Sequence, residues 1–450
     1  MVRREDNSTS TLARTLNLRD LILLIVGTVI GSGIFVVPSL VLRQTLGGTA
    51  VAMLVWLGGG ILSMLGALTY GELTATNPKA GGLYVFIRDC FGPLPAFLYG
   101  WTLFFVISSG SLATLAVAFS GYLNEFTPLS PLAVKLVALS MIAVVTVVNV
   151  TGTRRSARVQ NWTTVIKVAA ILVLCVVLLW LGSGFAGISG QLWPADDGVA
   201  SILSGVGLAT ISVLWAYEGW QYVTFSAGEV INAQRNYPRA LLIGSAFLIG
   251  IYLLANLAYL SALGPHQAAQ TDSIAATAIT AVAGPATSKF VTIAILISIL
   301  GAANGITMTA PRVYYAMARD GLFFDRLAQI HPRFKTPAFA VMAGSLWAAI
   351  LAVSGTFEQL LTYVVFTGWI FYALAGSSIF IYRRRVLKQD LPYRVPGYPW
   401  TPLLFVVAAV ALVANTIAAQ PGRAAVGLGI VFLGTPAYFI WRGSKRNPGS

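Results

Sequence analysis

Charged residues are scarce in this sequence. Only 10% of its 450 residues are Asp, Glu, Lys or Arg, whereas 57% are hydrophobic. A soluble domain needs about a quarter of its residues charged to cover its surface. The composition therefore excludes a soluble globular protein and predicts an outer surface that faces lipid.

Cysteine and histidine are also rare. Cys90 falls in a predicted cytoplasmic segment and Cys175 inside a predicted span, so neither is placed for a disulfide on the outer side. The two histidines, His266 and His331, fall in predicted loops, so we predict no metal site and no cofactor. An enzyme would need a nucleophile, a metal or an acid–base pair within the membrane, and we predict no catalytic residues.

Long apolar segments, by contrast, recur along the whole chain. A spanning helix needs about 20 mostly apolar residues, and uninterrupted apolar runs exclude the alternating pattern of a β-barrel. The sequence therefore predicts an all-α membrane protein of about twelve transmembrane helices. The predicted spans are 21–43, 50–74, 94–123, 131–150, 160–182, 199–231, 240–263, 284–316, 338–354, 359–381, 399–418 and 424–441.

The net charge of +14 is distributed unevenly between the loops. Placing the N-terminus in the cytoplasm puts most of the 29 Lys and Arg residues on the cytoplasmic side, as the positive-inside rule requires. We therefore predict a multi-pass protein of the cell membrane (inner or plasma) with both termini cytoplasmic. The basic excess reflects topology, and we predict the lipid bilayer rather than nucleic acid as its partner.

Two shorter segments are too short to span a membrane. Residues 83–91 are amphipathic and predict a re-entrant or interfacial cytoplasmic helix. The apolar run 274–282, between spans seven and eight, predicts a short surface helix.

Two predicted spans contain breaks at corresponding places. Glycines cluster in residues 27–35 of span one, and a carboxylate and a glycine interrupt residues 215–221 of span six. If residues 21–182 and 199–381 are two five-helix repeats, each break falls in the first span of its repeat, and the odd number of spans inverts one repeat relative to the other. Residues 1–20 and 442–450 are then cytoplasmic tails, and 399–441 holds two additional helices.

A broken helix leaves backbone groups without intrahelical partners, which is costly in lipid unless they bind something. The N–H groups near Ser32 and Gly33 could hold a carboxylate at a positive helix end. The carbonyls of Val29, Trp215 and Glu218 could accept bonds from an ammonium. An amino acid zwitterion would satisfy both sets.

The alternative is that Gly27 and Gly31 only allow close packing of helices, which is common in membranes. Span one alone favours that alternative. The matching break in span six favours a binding site.

Two charged residues, Lys167 and Glu218, lie deep within the predicted spans. Lys167 is expected to point inward to carbonyls or a carboxylate, although snorkelling to the cytoplasmic surface is the alternative. Glu218 is expected at the functional site, with protonation or pairing with a tyrosine or Lys167 as alternatives. Glu72 and Glu229 lie near cytoplasmic helix ends, where pairing with Arg or Lys is expected.

Four motifs resemble the amino acid–polyamine–organocation (APC) superfamily, and within it the L-type, light-chain-like amino acid transporters. They cover nearly the whole chain in the family's order. The motifs are GTVIGSGIF at 27–35, the segments from YGEL at 70–73 to FGPLPAFLYGW at 91–101, WAYEGW at 215–220 with EVIN at 229–232, and PRVY at 311–314 with ARDG at 318–321.

The resemblance implies a leucine-transporter-type fold, a 5+5 inverted repeat, alternating access and an amino acid bound between broken spans one and six. Carried over by position, Ser32 and Gly33 bind the substrate carboxylate, and the carbonyls of Val29, Trp215 and Glu218 bind its amino group. Gly31 and Gly219 belong to the breaks, Trp215 is also the aromatic gate, Gln221 lies near the substrate side chain, and Lys167 occupies the place of a sodium ion.

The chain also departs from the family pattern. The outer connection 124–131 has no cysteine, so no disulfide-linked ancillary subunit is expected. Ala233 stands where the family usually has proline, and Ala302 and Gly368 leave two lining positions small and nonpolar.

These observations predict sodium-independent transport of L-amino acids, neutral and in part cationic, by exchange or facilitated diffusion. The alternatives are proton-coupled uptake, with Lys167 or Glu218 titrating, and a membrane amino acid sensor that does not transport. A sensor would be expected to carry a large soluble tail, and both tails here are short.

Overall fold

The computed structural model describes residues 12–182, 192–193, 198–354, 357–385, 391–419 and 421–446. Within these ranges the regular structure is helical, apart from one isolated bridge between Leu16 and Val230. The helices are α1 (Leu18–Val29), α2 (Gly33–Gln44), α3 (Thr49–Thr76), α4 (Leu83–Phe91), α5 (Pro93–Thr102), α6 (Ser108–Phe126), α7 (Pro131–Val150), α8 (Thr153–Leu181), α9 (Val199–Ala216), α10 (Ala233–Gln270), α11 (Ile274–Ala283), α12 (Ser288–Thr309), α13 (Pro311–Arg319), α14 (Ala338–Ser354), α15 (Phe357–Arg385), α16 (Trp400–Ala419) and α17 (Pro421–Arg446).

Short segments of other helix types join some of these helices. A π-helical segment, Leu103–Ile107, connects α5 and α6. Segments of 3-10 helix cover Trp220–Glu229, Pro285–Thr287 and Asp325–Ala328.

The helices are long and apolar enough to confirm an all-α membrane fold. In the described part of the chain, ten helical segments qualify as candidate spans, and the bent pair α1–α2 makes up to eleven. The ninth predicted span is α14, an apolar helix of 17 residues. Large apolar side chains such as Trp180 (84% exposed) and Phe290 (74% exposed) lie on the outer surface, as a lipid-facing surface requires.

The two short helices are also present. Residues 83–91 form α4, whose N-terminal residues from Leu83 to Ile87 are buried, whereas its C-terminal half is partly exposed. The apolar run after span seven forms α11. Both agree with the prediction of short helices outside the spans.

Both predicted breaks occur in the structure. Helix α1 ends at Val29, α2 begins at Gly33, and their axes differ by 48°. In span six, α9 ends at Ala216, and Gly219 has φ +125°, a conformation that favours glycine because it has no Cβ. The chain then continues as the 3-10 helix Trp220–Glu229 rather than as an α-helix.

Candidate substrate site between the broken helices

The two breaks lie directly against each other. A Cβ atom on Gly219 would lie 3.1 Å from the carbonyl carbon and oxygen of Thr28 and from the Val29 nitrogen. A Cβ on Gly33 would lie 3.1 Å from the Cα and Cβ of Ala216. Glycine at both positions therefore allows the backbones of spans one and six to approach.

Tyr252, on α10, links the two breaks. Its hydroxyl lies 3.0 Å from the Ala216 carbonyl oxygen, to which it donates, and 3.3 Å from that of Val29. Its ring packs against those of Trp56 and Tyr217. Span seven thus holds the end of α1 and the end of α9 at a fixed separation.

A cavity lies beside these breaks. The cavity encloses about 570 Å³ of empty space, including the part open to solvent. Three neighbouring spans complete the walls around the two breaks. The lining residues are Thr28, Val29, Gly31, Ser32, Gly33, Ser111, Thr114, Leu115, Trp215, Ala216, Glu218, Gly219, Tyr222, Ala302, Ile306 and Val364.

The start of α2 provides donors at this cavity. Among the described residues, no acceptor receives a hydrogen bond from the backbone N–H of Gly31, Ser32 or Gly33. The Ser32 hydroxyl is buried and likewise has no protein partner there. Since α2 also directs its positive end to this point, the site is suited to an anion.

Carbonyl oxygens face the same region. The Val29 carbonyl lies within reach of Tyr252, and the Trp215 carbonyl accepts from the Glu218 N–H at 3.0 Å. A carbonyl oxygen has two lone pairs and can accept from an ammonium as well as from a protein donor. Donors at the break of span one and carbonyls at both breaks therefore lie at one cavity, as a zwitterion requires.

Lys167, on α8, inserts its ammonium into the break of span one. Its Nζ donates to the carbonyls of Gly27 (2.9 Å), Ile30 (2.7 Å) and Ser298 (2.8 Å). An ammonium has three donors, and all three are used. The side chain is 1% exposed, so the inward interpretation is confirmed and snorkelling is wrong.

Ser298, on α12, reinforces the same point. Its hydroxyl lies 3.0 Å from the carbonyl oxygens of both Ile30 and Gly31. The unwound carbonyls of span one are therefore held from α8 and α12 together.

Glu218 forms a different polar cluster. Its Oε1 accepts a hydrogen bond from the Tyr372 hydroxyl at 2.7 Å and lies 3.5 Å from the side-chain nitrogen of Gln221. Its Oε2 is buried without a partner in the described structure. No ion pair joins Glu218 to Lys167 in the part of the chain that is described, so the tyrosine alternative holds and the lysine alternative does not.

Gln221 is the one predicted substrate-binding residue that does not line the cavity. Its amide nitrogen donates to the Tyr372 hydroxyl at 2.7 Å, and its amide oxygen accepts from the Gly219 N–H at 3.1 Å. Gln221 therefore holds Tyr372 and the backbone of Gly219 in place without lining the cavity itself.

Several lining residues were not predicted from the sequence. Ser111 and Thr114 come from α6, and Tyr222 comes from the 3-10 helix of span six. Ser111 and Thr114 are three residues apart and therefore lie on one helix face. Two hydroxyls on one face of an apolar span are the sequence feature that indicates a cavity lining here. Ala302 lines the cavity as expected, whereas a Cβ on Gly368 would meet the Tyr372 hydroxyl at 3.1 Å.

A buried ion pair joins spans six and eight at the end where the N-terminal segment lies. Arg312 donates to both carboxylate oxygens of Glu229, at 2.6 and 2.9 Å, and Thr153 donates to the same carboxylate at 2.7 Å. Glu229 and Arg312 are 0% and 1% exposed. The pairing expected for Glu229 is confirmed.

The N-terminal segment covers this end. The N–H groups of Thr15 and Leu16 donate to the Glu229 carbonyl at 2.9 and 3.0 Å, and the Ile231 N–H donates to the Leu16 carbonyl at 2.9 Å. Glu72 makes the analogous pair with Arg383 at 2.7 Å, also as expected. These contacts tie the N-terminal segment to span six, and span two to span ten.

Comparison with known proteins identifies relatives over nearly the whole chain. The model of a family described as amino acid permease matches residues 16–437. The serine/threonine exchanger SteT of Bacillus subtilis (strain 168) is 29% identical over 449 residues, covering 99% of each chain. The b(0,+)-type amino acid transporter 1 of Rattus norvegicus is 32% identical over 429 residues, covering 93% of this chain and 87% of the relative.

A third relative is the large neutral amino acids transporter small subunit 2 of Mus musculus. It is 30% identical over 429 residues, covering 93% of this chain and 79% of the relative. These matches confirm the resemblance drawn from the motifs, the membrane transporter fold and the assignment to amino acid transport.

Proposed function

We propose, for a chain that belongs to the amino acid permease family, that it exchanges L-amino acids across the cell membrane by alternating access, without sodium. The observation that carries the proposal is the pairing of two complementary backbone sites at the breaks. N–H groups without an acceptor among the described residues lie at the start of α2, and carbonyl oxygens lie at the ends of α1 and α9. A free α-amino acid carries the two charges that these sites complement.

The assignment of roles follows from this arrangement. The substrate carboxylate binds the N–H groups of Ser32 and Gly33, where the α2 dipole also favours an anion. The amino group binds carbonyls of Val29, Trp215 and Glu218. Gly31 and Gly219 keep the breaks open, and the Trp215 ring closes over the bound amino acid.

Lys167 supports independence from sodium. Its ammonium is fixed by the carbonyls of Gly27 and Ile30 at the break of span one and by that of Ser298 on α12, so a positive charge already occupies this point. Because the charge is covalently tethered, no external ion is required to hold the break in its binding geometry.

Glu218 supports a substrate range that includes cationic amino acids. The residue lines the cavity, and its Oε2 has no partner among the described residues. An ionised oxygen there would attract a cationic side chain, whereas a protonated one would donate to a neutral polar side chain. The names of two relatives, a serine/threonine exchanger and a large neutral amino acids transporter, support neutral substrates and exchange.

Two five-helix repeats, 21–182 and 199–381, are the units that we propose to move against each other around this site. Residues 399–441 add two helices, and both tails, 1–20 and 442–450, lie in the cytoplasm. The matching positions of the breaks support the repeats, and the distribution of basic residues supports the orientation.

The chain is proposed to act without a disulfide-linked subunit. Cys175 is buried, Cys90 lies in α4, and the outer connection 124–131 has no cysteine. The mouse relative is named a small subunit, and that name describes the mouse protein rather than this chain.

A competition panel tests the proposed substrates. Purified chain in proteoliposomes should take up a labelled neutral amino acid, and unlabelled L-amino acids should compete whereas D-isomers and decarboxylated amines should not. Competition by amines that lack the carboxylate would contradict the assigned backbone site. A dependence of uptake on a proton gradient, rather than on internal substrate, would favour proton coupling.

A further inference from the structure

A second, apolar groove shares no lining residue with the substrate cavity. Helix α14 forms one wall with Phe339, Met342, Ala343 and Leu346, and Phe104 of the π-helical segment lies at its floor. The 3-10 helix Asp325–Ala328 closes one end. The groove encloses about 1040 Å³ of empty space, including the part that opens outward.

The groove faces lipid. The exposed large side chains of α14 are Phe339, Met342, Leu346, Ile350 and Val353, all of them apolar. Steps of three and four residues put them on one helix face, and the opposite face of α14 is buried. A face of this kind is stable against hydrocarbon and not against water.

Hydrocarbon must therefore fill the groove. In a bilayer the neighbouring molecules are lipids, and an unfilled apolar space forfeits the dispersion contacts of its walls. From Phe339 to Leu346 the groove runs along eight residues of α14, whose seven steps give a rise of roughly 10 Å. That length accommodates part of one acyl chain.

The walls are held in place without the lipid. The Trp347 indole N–H donates to the Phe105 carbonyl at 2.9 Å, which ties α14 to the π-helical segment. Phe104 packs edge-to-face against Tyr314 and Phe323. A preformed groove costs little ordering when a chain enters.

The charged end of the groove selects the headgroup. Arg326 is exposed at the rim and forms no ion pair with any described residue. Asp325 also lies at the rim and already has an interaction partner, and Asp320 is held by Arg88 at 2.5 Å and by Tyr84 at 2.7 Å. The connection between α13 and α14 therefore presents basic groups, and a guanidinium binds a phosphate with two parallel hydrogen bonds.

We propose that this groove is a binding site for an anionic phospholipid, with an acyl chain along α14 and the headgroup phosphate on Arg326. We place this lipid in the cytoplasmic leaflet, and that placement rests on the topology given with the proposed function. Binding of the lipid does not depend on transport, so the two proposals can fail separately.

Native mass spectrometry of the purified, delipidated chain tests the site. Phosphatidylglycerol and phosphatidylcholine with identical acyl chains are added in equal amounts, and the adducts are counted. The wild-type chain should prefer phosphatidylglycerol, and Arg326→Gln should lower that preference about fivefold, the effect of about one basic residue near an anionic headgroup. Arg333→Gln removes an exposed charge from the same connection outside the groove and should leave the preference unchanged.

A second variant tests the acyl chain. Ala343→Trp fills the groove and should reduce adducts of both lipids, with an unchanged melting temperature showing that the fold persists. The proposal would be overturned if Arg326→Gln and Arg333→Gln had equal preferences for phosphatidylglycerol. A dimer of this chain in place of lipid adducts would also overturn it. Undiminished adducts in a folded Ala343→Trp would overturn the placement of the acyl chain.

Discussion

The Nζ of Lys167 lies 2.7 Å from the carbonyl oxygen of Ile30, the C-cap residue directly after helix α1. A lysine in span five is thus bonded to the backbone that the break in span one exposes. An unsatisfied buried carbonyl costs about 1–3 kcal/mol, so this side chain stabilises the broken helix as well as supplying a charge. The arrangement connects the stability of the break to the proposed independence from sodium.

The first prediction concerns the contact between the two breaks. Gly33→Val should abolish binding, because even its Cβ would lie 3.1 Å from the backbone of Ala216 and the side chain would obstruct the carboxylate site. Gly31→Ala should reduce affinity less, because its Cβ would meet Ala302 at 3.6 Å, an ordinary contact. Substrate binding to both purified variants measures the difference. Normal transport by Gly33→Val would mean that the carboxylate is held elsewhere.

The second prediction concerns charge selectivity. Glu218→Gln should weaken transport of arginine and lysine by at least about tenfold, the equivalent of about 1.4 kcal/mol, and alanine and leucine transport much less. The reason is that the glutamine amide has the shape of the carboxylate and still forms hydrogen bonds, but it carries no negative charge. Uptake of all four substrates by the variant provides the comparison.

Tyr372→Phe is the matched control for Glu218. It removes the 2.7 Å hydrogen bond to the carboxylate but leaves the carboxylate itself. It should therefore retain the preference that Glu218→Gln loses. An equal loss of all four substrates in Glu218→Gln would make the residue structural or proton-coupling.

The third prediction concerns the ion pair between spans six and eight. Arg312→Gln should destabilise the protein by about 3–5 kcal/mol, because Glu229 would remain as a buried, unpaired charge. The double variant Glu229→Gln with Arg312→Gln should recover part of that loss. Thermal unfolding in detergent measures both, and equal melting temperatures for single and double variants would exclude a coupled pair.

Arg154→Gln serves as the control for that prediction. Arg154 pairs with Asp20 at 2.6 Å, but its side chain is 47% exposed, so solvent weakens the interaction. Its substitution should lower the melting temperature less than Arg312→Gln does.

The fourth prediction concerns assembly. The purified single chain should transport when reconstituted alone, since the outer connection 124–131 offers no cysteine for a linked subunit. Addition of a membrane extract from the cells that produce the protein should not raise the specific transport activity. An inert purified chain that an added subunit activates would contradict this expectation.

The sequence predicts some parts of the site well because they depend on local backbone chemistry. Clustered glycines and an intramembrane carboxylate interrupt a helix whatever that helix packs against, so the breaks at Gly31 and Gly219 could be predicted. The inward position of Lys167 could be predicted as well. Tyr372 and Tyr222 could not, because a buried membrane helix is apolar on most faces and its periodicity does not say which residue meets a distant span. The contacts of Gln221 could not be predicted for the same reason, since its orientation depends on the 3-10 geometry of span six.

Exchange measured in proteoliposomes with sodium replaced by choline tests the central claim most directly. Vesicles containing the purified chain are loaded with unlabelled substrate or left empty, and uptake of labelled amino acid is followed in both cation solutions. We predict uptake that requires internal substrate and has the same initial rate in sodium and in choline. Uptake that disappears in choline would contradict the role of Lys167 as the tethered cation.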